Sequence, residues 1–183
     1  MKGWIGSGIA AGIALFLWGA IAHMALPLGE MGIKSMPEEV TAVLGERIKT
    51  PGVYFFPSVG AGTEQEMEKT SQAYATQPHG LMAFTPTDGK PYSMAMPLTI
   101  QFVIDLICGV ILAWLIWQAW LSLPGLGAKV GFAAVVGFLA SFAVSAPYCN
   151  WYGFGGAFFI GQMIESIVGF SIGGAVIGWL MRR

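Results

Sequence analysis

Residues 155–180, GGAFFIGQMIESIVGFSIGGAVIGWL, form an apolar run that carries a single charged residue, Glu165. Gly161, Glu165, Gly169 and Gly173 recur every four residues, so a helix over this run presents one face of small residues interrupted only by a carboxyl group. Such a face favours close approach by another helix over contact with lipid. Its expected mate is the run Pro97 to Trp120, where Gln101, Asp105, Gly109 and Ala113 repeat the spacing with one acid among small residues.

Composition places these runs in a membrane. Of 183 residues, 55% are hydrophobic and only 10% charged, with 26 glycines and a mean hydropathy of +0.66, whereas a soluble domain carries about 25% charged residues. Four runs reach the roughly 20 apolar residues that a helix needs to cross a bilayer core: Trp4 to His23, Pro97 to Trp120, Ala128 to Ala146 and Gly155 to Leu180. The expected fold class is an all-α membrane protein of four transmembrane helices, with a small α+β extramembrane domain inserted between helices 1 and 2. Its divisions are 1–23 (helix 1), 24–96 (outer domain) and 97–183 (helices 2–4).

Met1-Lys2-Gly3 before an apolar stretch resembles a signal peptide. The stretch continues for about 20 residues, longer than the roughly 7 to 15 of a signal core, which predicts a retained first helix. Within it Gly8, Gly12, Gly19 and His23 share a face, with His23 at the far end. Residues 24–96 hold eight of the ten acids and five of the nine bases. A stretch of this length is expected to be a domain because structureless connections beyond about 15 residues are uncommon. Ser35-Met36-Pro37-Glu38 reads as a capping box opening a helix to Ile48. Gly52 to Phe56 and Gly80 to Thr85 read as paired strands, with a polar helix over Glu64 to Thr76 between them.

Lys2, Lys129, Arg182 and Arg183 fall on one side of a four-crossing chain, and the loop Pro147 to Phe154 carries no base. The positive-inside rule then places both termini in the cytoplasm and residues 24–96 in the periplasm of a bacterial inner membrane. Trp4, Trp117, Trp120, Tyr148, Trp151, Tyr152 and Trp179 lie near helix ends, as interfacial anchors do.

Helices 2 and 4 run in the same direction, which sets Asp105 and Glu165 about 12 and 13 Å below the outer surface at the helical rise per residue. Gln101 and Gln162 share their faces, Ser141 and Ser145 come to the same level on helix 3, and His23 stands above. The predicted polar cluster is His23, Gln101, Asp105, Ser141, Ser145, Gln162 and Glu165. An acid at this depth is costly, and no lysine or arginine of the chain is expected beside either. The two carboxyls are read as neutral groups bonded to Gln and Ser, as a pair sharing one proton, or as holders of a cation, either an ion or a partner's side chain.

Seven of ten methionines fall between Met24 and Met96. Met94 and Met96, with the neighbours His23-Met24, suggest a copper(I) site against the commoner role of methionine as packing. His79 is expected in an exposed turn. Cys108 falls inside helix 2 and Cys149 in a loop, a pairing that does not favour a disulfide. The chain has no glycine-rich phosphate loop, no G-x-S-x-G elbow and no H-E-x-x-H pair, and it has too few histidines for a bis-histidine haem protein. Ordinary catalysis, a cofactor and nucleic-acid binding are therefore not expected.

Asn150-Trp151-Tyr152-Gly153-Phe154, followed by Gln162-Met163-Ile164-Glu165 and Gly169, resembles a family of small, uncharacterised bacterial four-helix membrane proteins. Their last helix follows an Asn-Trp-aromatic-Gly-Phe loop and bears an acid-Met-x-acid segment. Trp18 and Leu26-Pro27-Leu28 extend the likeness more loosely, while Gln162 stands where the family has its first acid. The resemblance implies that Glu165 and the Asn150 loop, with Trp151, lie together at the outer membrane surface. Asn150 is expected to cap the last helix or order its loop.

The leading functional expectation is a structural or accessory partner, a homo-oligomer or a subunit of a larger membrane complex, associating through Gly8, Gly12, Gly109, Gly161, Gly169 and Gly173 in contact with membrane lipid. The alternative is a small proton or metal-cation transporter using Asp105 and Glu165, and a periplasm-facing copper protein comes third.

Overall fold

The computed structural model of the chain describes residues 3–57 and 62–181. Lys2, Arg182 and Arg183, three of the four bases in the orientation argument, lie outside the described residues. The elements in chain order are Trp4–Met24 (α1), Glu38–Arg47 (α2), Gly52–Phe56 (β1), Glu64–Thr76 (α3), Gly80–Phe84 (β2), Ala95–Gln118 (α4), a 3-10 turn at Trp120–Ser122, Gly125–Tyr152 (α5) and Gly156–Leu180 (α6). Four of the helices, α1, α4, α5 and α6, are long and apolar enough to cross a membrane. The described residues divide into two compact units, one within Met1–Ile33, Tyr92–Pro147 and Gly155–Arg183, the other within Lys34–Pro91 and Tyr148–Phe154. Residues 24–33 and 92–96, read from the sequence as outer domain, therefore group with the long helices.

In the helical unit the small residues determine which helices meet. α1 and α4 run antiparallel with Trp4 stacked on Trp117 at one end, ring centroids 6.0 Å apart, and Phe16 edge-on to Phe102 at 5.2 Å. Between these rings the backbones touch. A Cβ added to Gly8 would lie 2.7 Å from Val110 Cα, one on Gly12 would lie 2.5 Å from Leu106 Cα, and one on Gly109 would strike the backbone of Gly8 and Gly12. Close approach of this kind earns dispersion contacts where lipid offers no hydrophobic drive.

The glycine face of α6 has a different mate from the expected one. Gly169 lies under Trp18 of α1, 2.9 Å from the position of its missing Cβ to Cδ1, and Gly161 lies against Leu28 and Met31 of the turns that follow α1. Gly173 meets Leu112 of α4 as well as Ala11 and Leu15 of α1. The spacing correctly marked a face for close approach, but α1 rather than α4 fills most of it. α5 packs against α6, where Gly137 faces Ser166 and Gly174 faces Ala133. The buried core is Ala11, Leu112, Ala113, Ile116, Ala133 and Ile177.

α5 is longer than its predicted apolar run. The helix continues through Pro147 to Tyr152, so Asn150 and Trp151, expected in a loop, occupy its last turns and are exposed. A proline disturbs the turn before it and leaves the residues after it free to remain helical. The stop comes at Gly153, whose φ of 76° a side chain rarely adopts. Asn150 does not cap α6, whose N-cap is Gly155 with no side-chain cap bond.

In the second unit β1 and β2 pair antiparallel, with Gly52 opposite Phe84 and Phe56 opposite Gly80. Phe55 leans on Tyr74 and Tyr152, and His79 is exposed and stacks on Tyr74 at 4.6 Å. The expected capping box at Ser35 is absent: Pro37 occupies the N-cap of α2 without a side-chain bond. A capping box forms instead on α3, where Thr63 Oγ1 accepts from the Glu66 amide and Glu66 Oε2 accepts from the Thr63 amide.

Candidate functional site

Between the four long helices lies a cavity of about 360 Å³, within the roughly 300–1,000 Å³ of small-molecule sites. α4 brings Gln101, Asp105 and Cys108 to it, because steps of four and three keep them on one face. α6 brings Gln162, Glu165, Ser166 and Gly169 by the same spacing, and α5 brings Ser141 and Ser145. α1 supplies Leu15, Trp18 and Gly19, with Ala140, Val144 and Phe170 completing the apolar lining. Six of the seven residues of the predicted polar cluster thus line one cavity, and the seventh, His23, touches it through Glu165.

The two acids are held differently. Glu165 Oε1 lies 3.1 Å from His23 Nε2, and the Glu165 main-chain carbonyl accepts a 2.9 Å bond from Trp18 Nε1. The imidazole is fitted against Gly29, where any Cβ would collide with the ring. Asp105 has a same-helix partner: Gln101 Nε2 donates to both carboxyl oxygens at 3.2 Å. Ser166 turns aside to donate to the Gly137 carbonyl at 2.9 Å. Ser141 is 9% exposed, and its buried Oγ has no hydrogen-bond partner among the described residues.

Lys129 is the one described cation on the long helices besides histidine, and it is committed elsewhere. Only 5% exposed, it donates from Nζ to the carbonyls of Leu123 at 2.7 Å and Gly125 at 3.0 Å, and lies 4.1 Å over the Trp120 ring. Ser141 stands twelve residues further along α5, about 18 Å at the helical rise.

Of the remaining sequence candidates, Gly8, Gly12, Gly109, Gly161, Gly169 and Gly173 are all occupied by contacts within the chain. Met94 and Met96 stand exposed at the start of α4, and Asn150 and Trp151 on the last turns of α5. Among the described residues, no three of His, Cys, Asp and Glu come together closely enough to hold a metal ion. Trp18, Cys108 and Ser166 were not among the predicted cluster. Cys108 follows Asp105 by three residues and so shared its face from the start, whereas the Trp18 bond to a main-chain carbonyl leaves no trace in a residue pattern. No protein-family model, curated protein or solved structure matches the chain.

Proposed function

We propose that this chain is an integral protein of a bacterial inner membrane that binds a small cation in the cavity between its four helices, as the binding step of a transporter. The observation that carries the reading is that Asp105 and Glu165, on different helices, line one cavity. Of the two acids, Glu165 bonds from helix to helix, to His23 of α1, as a carboxyl that glues helices would. Asp105 instead bonds to Gln101 on its own helix and presents its acid to the cavity.

The accessory reading drew part of its support from small-residue faces awaiting a partner. Those faces are filled within the chain, Gly12 and Gly109 by each other and Gly169 by Trp18. They no longer call for a second subunit. The orientation that goes with the proposal sets both termini in the cytoplasm and residues 24–96 outside.

The test is cation binding and flux with the protein in nanodiscs and liposomes, comparing wild type with Asp105→Asn plus Glu165→Gln. The amides preserve hydrogen bonding, so the double variant should remain folded and lose binding and flux. If it retains both, or if wild type binds no cation, the proposal fails. Intact-complex mass spectrometry from native membranes showing stoichiometric foreign subunits would then return the chain to an accessory role.

A further inference from the structure

The unit built from 34–91 and 148–154 has no core of its own. Among its described residues only Gly80 is buried, and Val40, Val43, Val53 and Met67 are exposed. A domain of about 60 residues ordinarily buries about 60% of the surface of its unfolded chain. A two-stranded hairpin such as β1–β2 is also marginal in water without further strands or a surface to pack on. The apolar side chains of this unit therefore need cover from outside it.

Strand register shows which face is bare. Val53 pairs with Ala83 and Phe55 with Leu81, so these four uncharged residues share one face of the hairpin. Val53 is 67% exposed and Ala83 is exposed, while Phe55 meets the Tyr152 ring at 6.2 Å. Tyr152 is the last residue of α5, and Trp151 beside it is 72% exposed. The 28 residues of α5 make a helix about 42 Å long, against about 30 Å for the hydrocarbon core and about 40–45 Å with the headgroup layers. A crossing helix of that length ends among headgroups, where tyrosine and tryptophan concentrate. The hairpin face that touches Tyr152 is thus tied to that depth.

We infer that the face bearing Val53 and Phe55 is seated on lipid, where acyl chains meet headgroups in the leaflet at which α5 ends. The bilayer supplies the cover that the unit does not build for itself. Two observations meet in this assignment: an uncharged, uncovered strand face, and its ring contact to the end of a helix long enough to cross the membrane. The first turns of α3, with Glu64, Glu66, Glu68 and Lys69, carry the charge that keeps a surface in water. The inference rests on the membrane-spanning part of the proposed function and is independent of cation binding.

Photolabelling of the unmodified chain in phosphatidylcholine nanodiscs tests it. Two phosphatidylcholine probes are used, one with a diazirine near the top of an acyl chain and one with it at the chain end, and adducts are located by mass spectrometry. The shallow probe should mark 53–55 and leave 64–69 clean, and the deep probe should mark Val135 and Leu139, exposed midway along α5. Adducts on α5 without adducts at 53–55 leave the chain in the membrane and overturn the seat, as would be found if a second copy or another protein covered the hairpin. Adducts on neither remove both readings. Labelling of 64–69 as heavy as that of 53–55 also overturns the seat, because the probe would then be reaching the unit without a preferred face. Val53→Glu changes an exposed side chain and should keep the helical circular dichroism of wild type while lowering labelling at 53–55 several-fold, since a carboxylate is costly to bury in lipid. Undiminished labelling in that variant would overturn the choice of face.

Discussion

His23 Nε2 stands 3.1 Å from Glu165 Oε1, joining the end of α1 to the middle of α6 across 142 residues of chain. The imidazole side chain is 53% exposed and the carboxyl 22%, so the contact is a modest one, about 0.5–1 kcal/mol for a partly solvated pair. Its geometry depends on a residue that touches neither carboxyl oxygen. A Cβ on Gly29 would collide with the imidazole, and the ring, being the far end of its side chain, would swing away. Gly29→Ala should therefore reproduce the loss caused by His23→Ala in thermal unfolding. Combined with Glu165→Gln it should cost less than the sum of the two, the signature of a shared contact. Strict additivity would show that Gly29 does not position the pair.

The crossing of α1 and α4 is tighter than any side chain allows. Gly109→Ala places a methyl against the Gly8 and Gly12 backbones, which cannot rotate aside. The expected loss is about 1–3 kcal/mol, as for other overpacked sites. Gly131→Ala on α5, where a Cβ meets nothing within 4 Å, should be neutral or gain up to about 1 kcal/mol from helix propensity. Unfolding of both variants in mild detergent, followed by loss of helical circular dichroism, decides the matter. Equal effects would mean that the helices do not meet at Gly109.

Much of the fold could be read because apolar runs of crossing length leave few alternatives: the start of α1 and the end of α6 fall where the runs begin and stop. β1, β2 and α3 were equally plain, bounded by Gly, Pro and Asp. The misreadings have common causes. Pro147 looked like a stop, although a proline frees only the preceding turn, and the true stop was a glycine six residues on. Spacing by four showed that Gly169 needed a close neighbour but could not say that the neighbour was Trp18, since the identity of a mate depends on tertiary packing. The same spacing served the cavity well, because a residue's face and depth on a helix are both functions of its number. Asp105, Gln101, Glu165 and Gln162 could be brought together from that alone. His23 was set above the cluster by its place at the end of α1, and its direct contact to Glu165, across 142 residues of chain, depends on how α1 packs on α6.

Caps offer a direct comparison between a pattern and its realisation. Ser35 and Glu38 have the spacing of a capping box, yet Pro37 occupies the N-cap position. Thr63 and Glu66 form the box in full. Thr63→Ala should cost about 1 kcal/mol, the usual loss for a hydroxyl N-cap, and should speed amide exchange at the start of α3. Ser35→Ala should change neither. A larger effect at Ser35 than at Thr63 would overturn the placement of these helix starts.

Lys129 tests whether the polar cavity works apart from the chain's other buried charge. Its ammonium satisfies the Leu123 and Gly125 carbonyls where α4 gives way to α5, and Trp120 covers it from the side. Lys129→Met keeps much of the aliphatic length but leaves both carbonyls without this donor, for an expected loss of about 1–3 kcal/mol. Because the ammonium is spent on those carbonyls and lies about 18 Å along α5 from the level of the cavity, cation affinity in the folded variant should stay within about twofold of wild type. A tenfold change in affinity with stability intact would place Lys129 in communication with the cavity, and the separation between a structural cation and a binding anion would have to be abandoned.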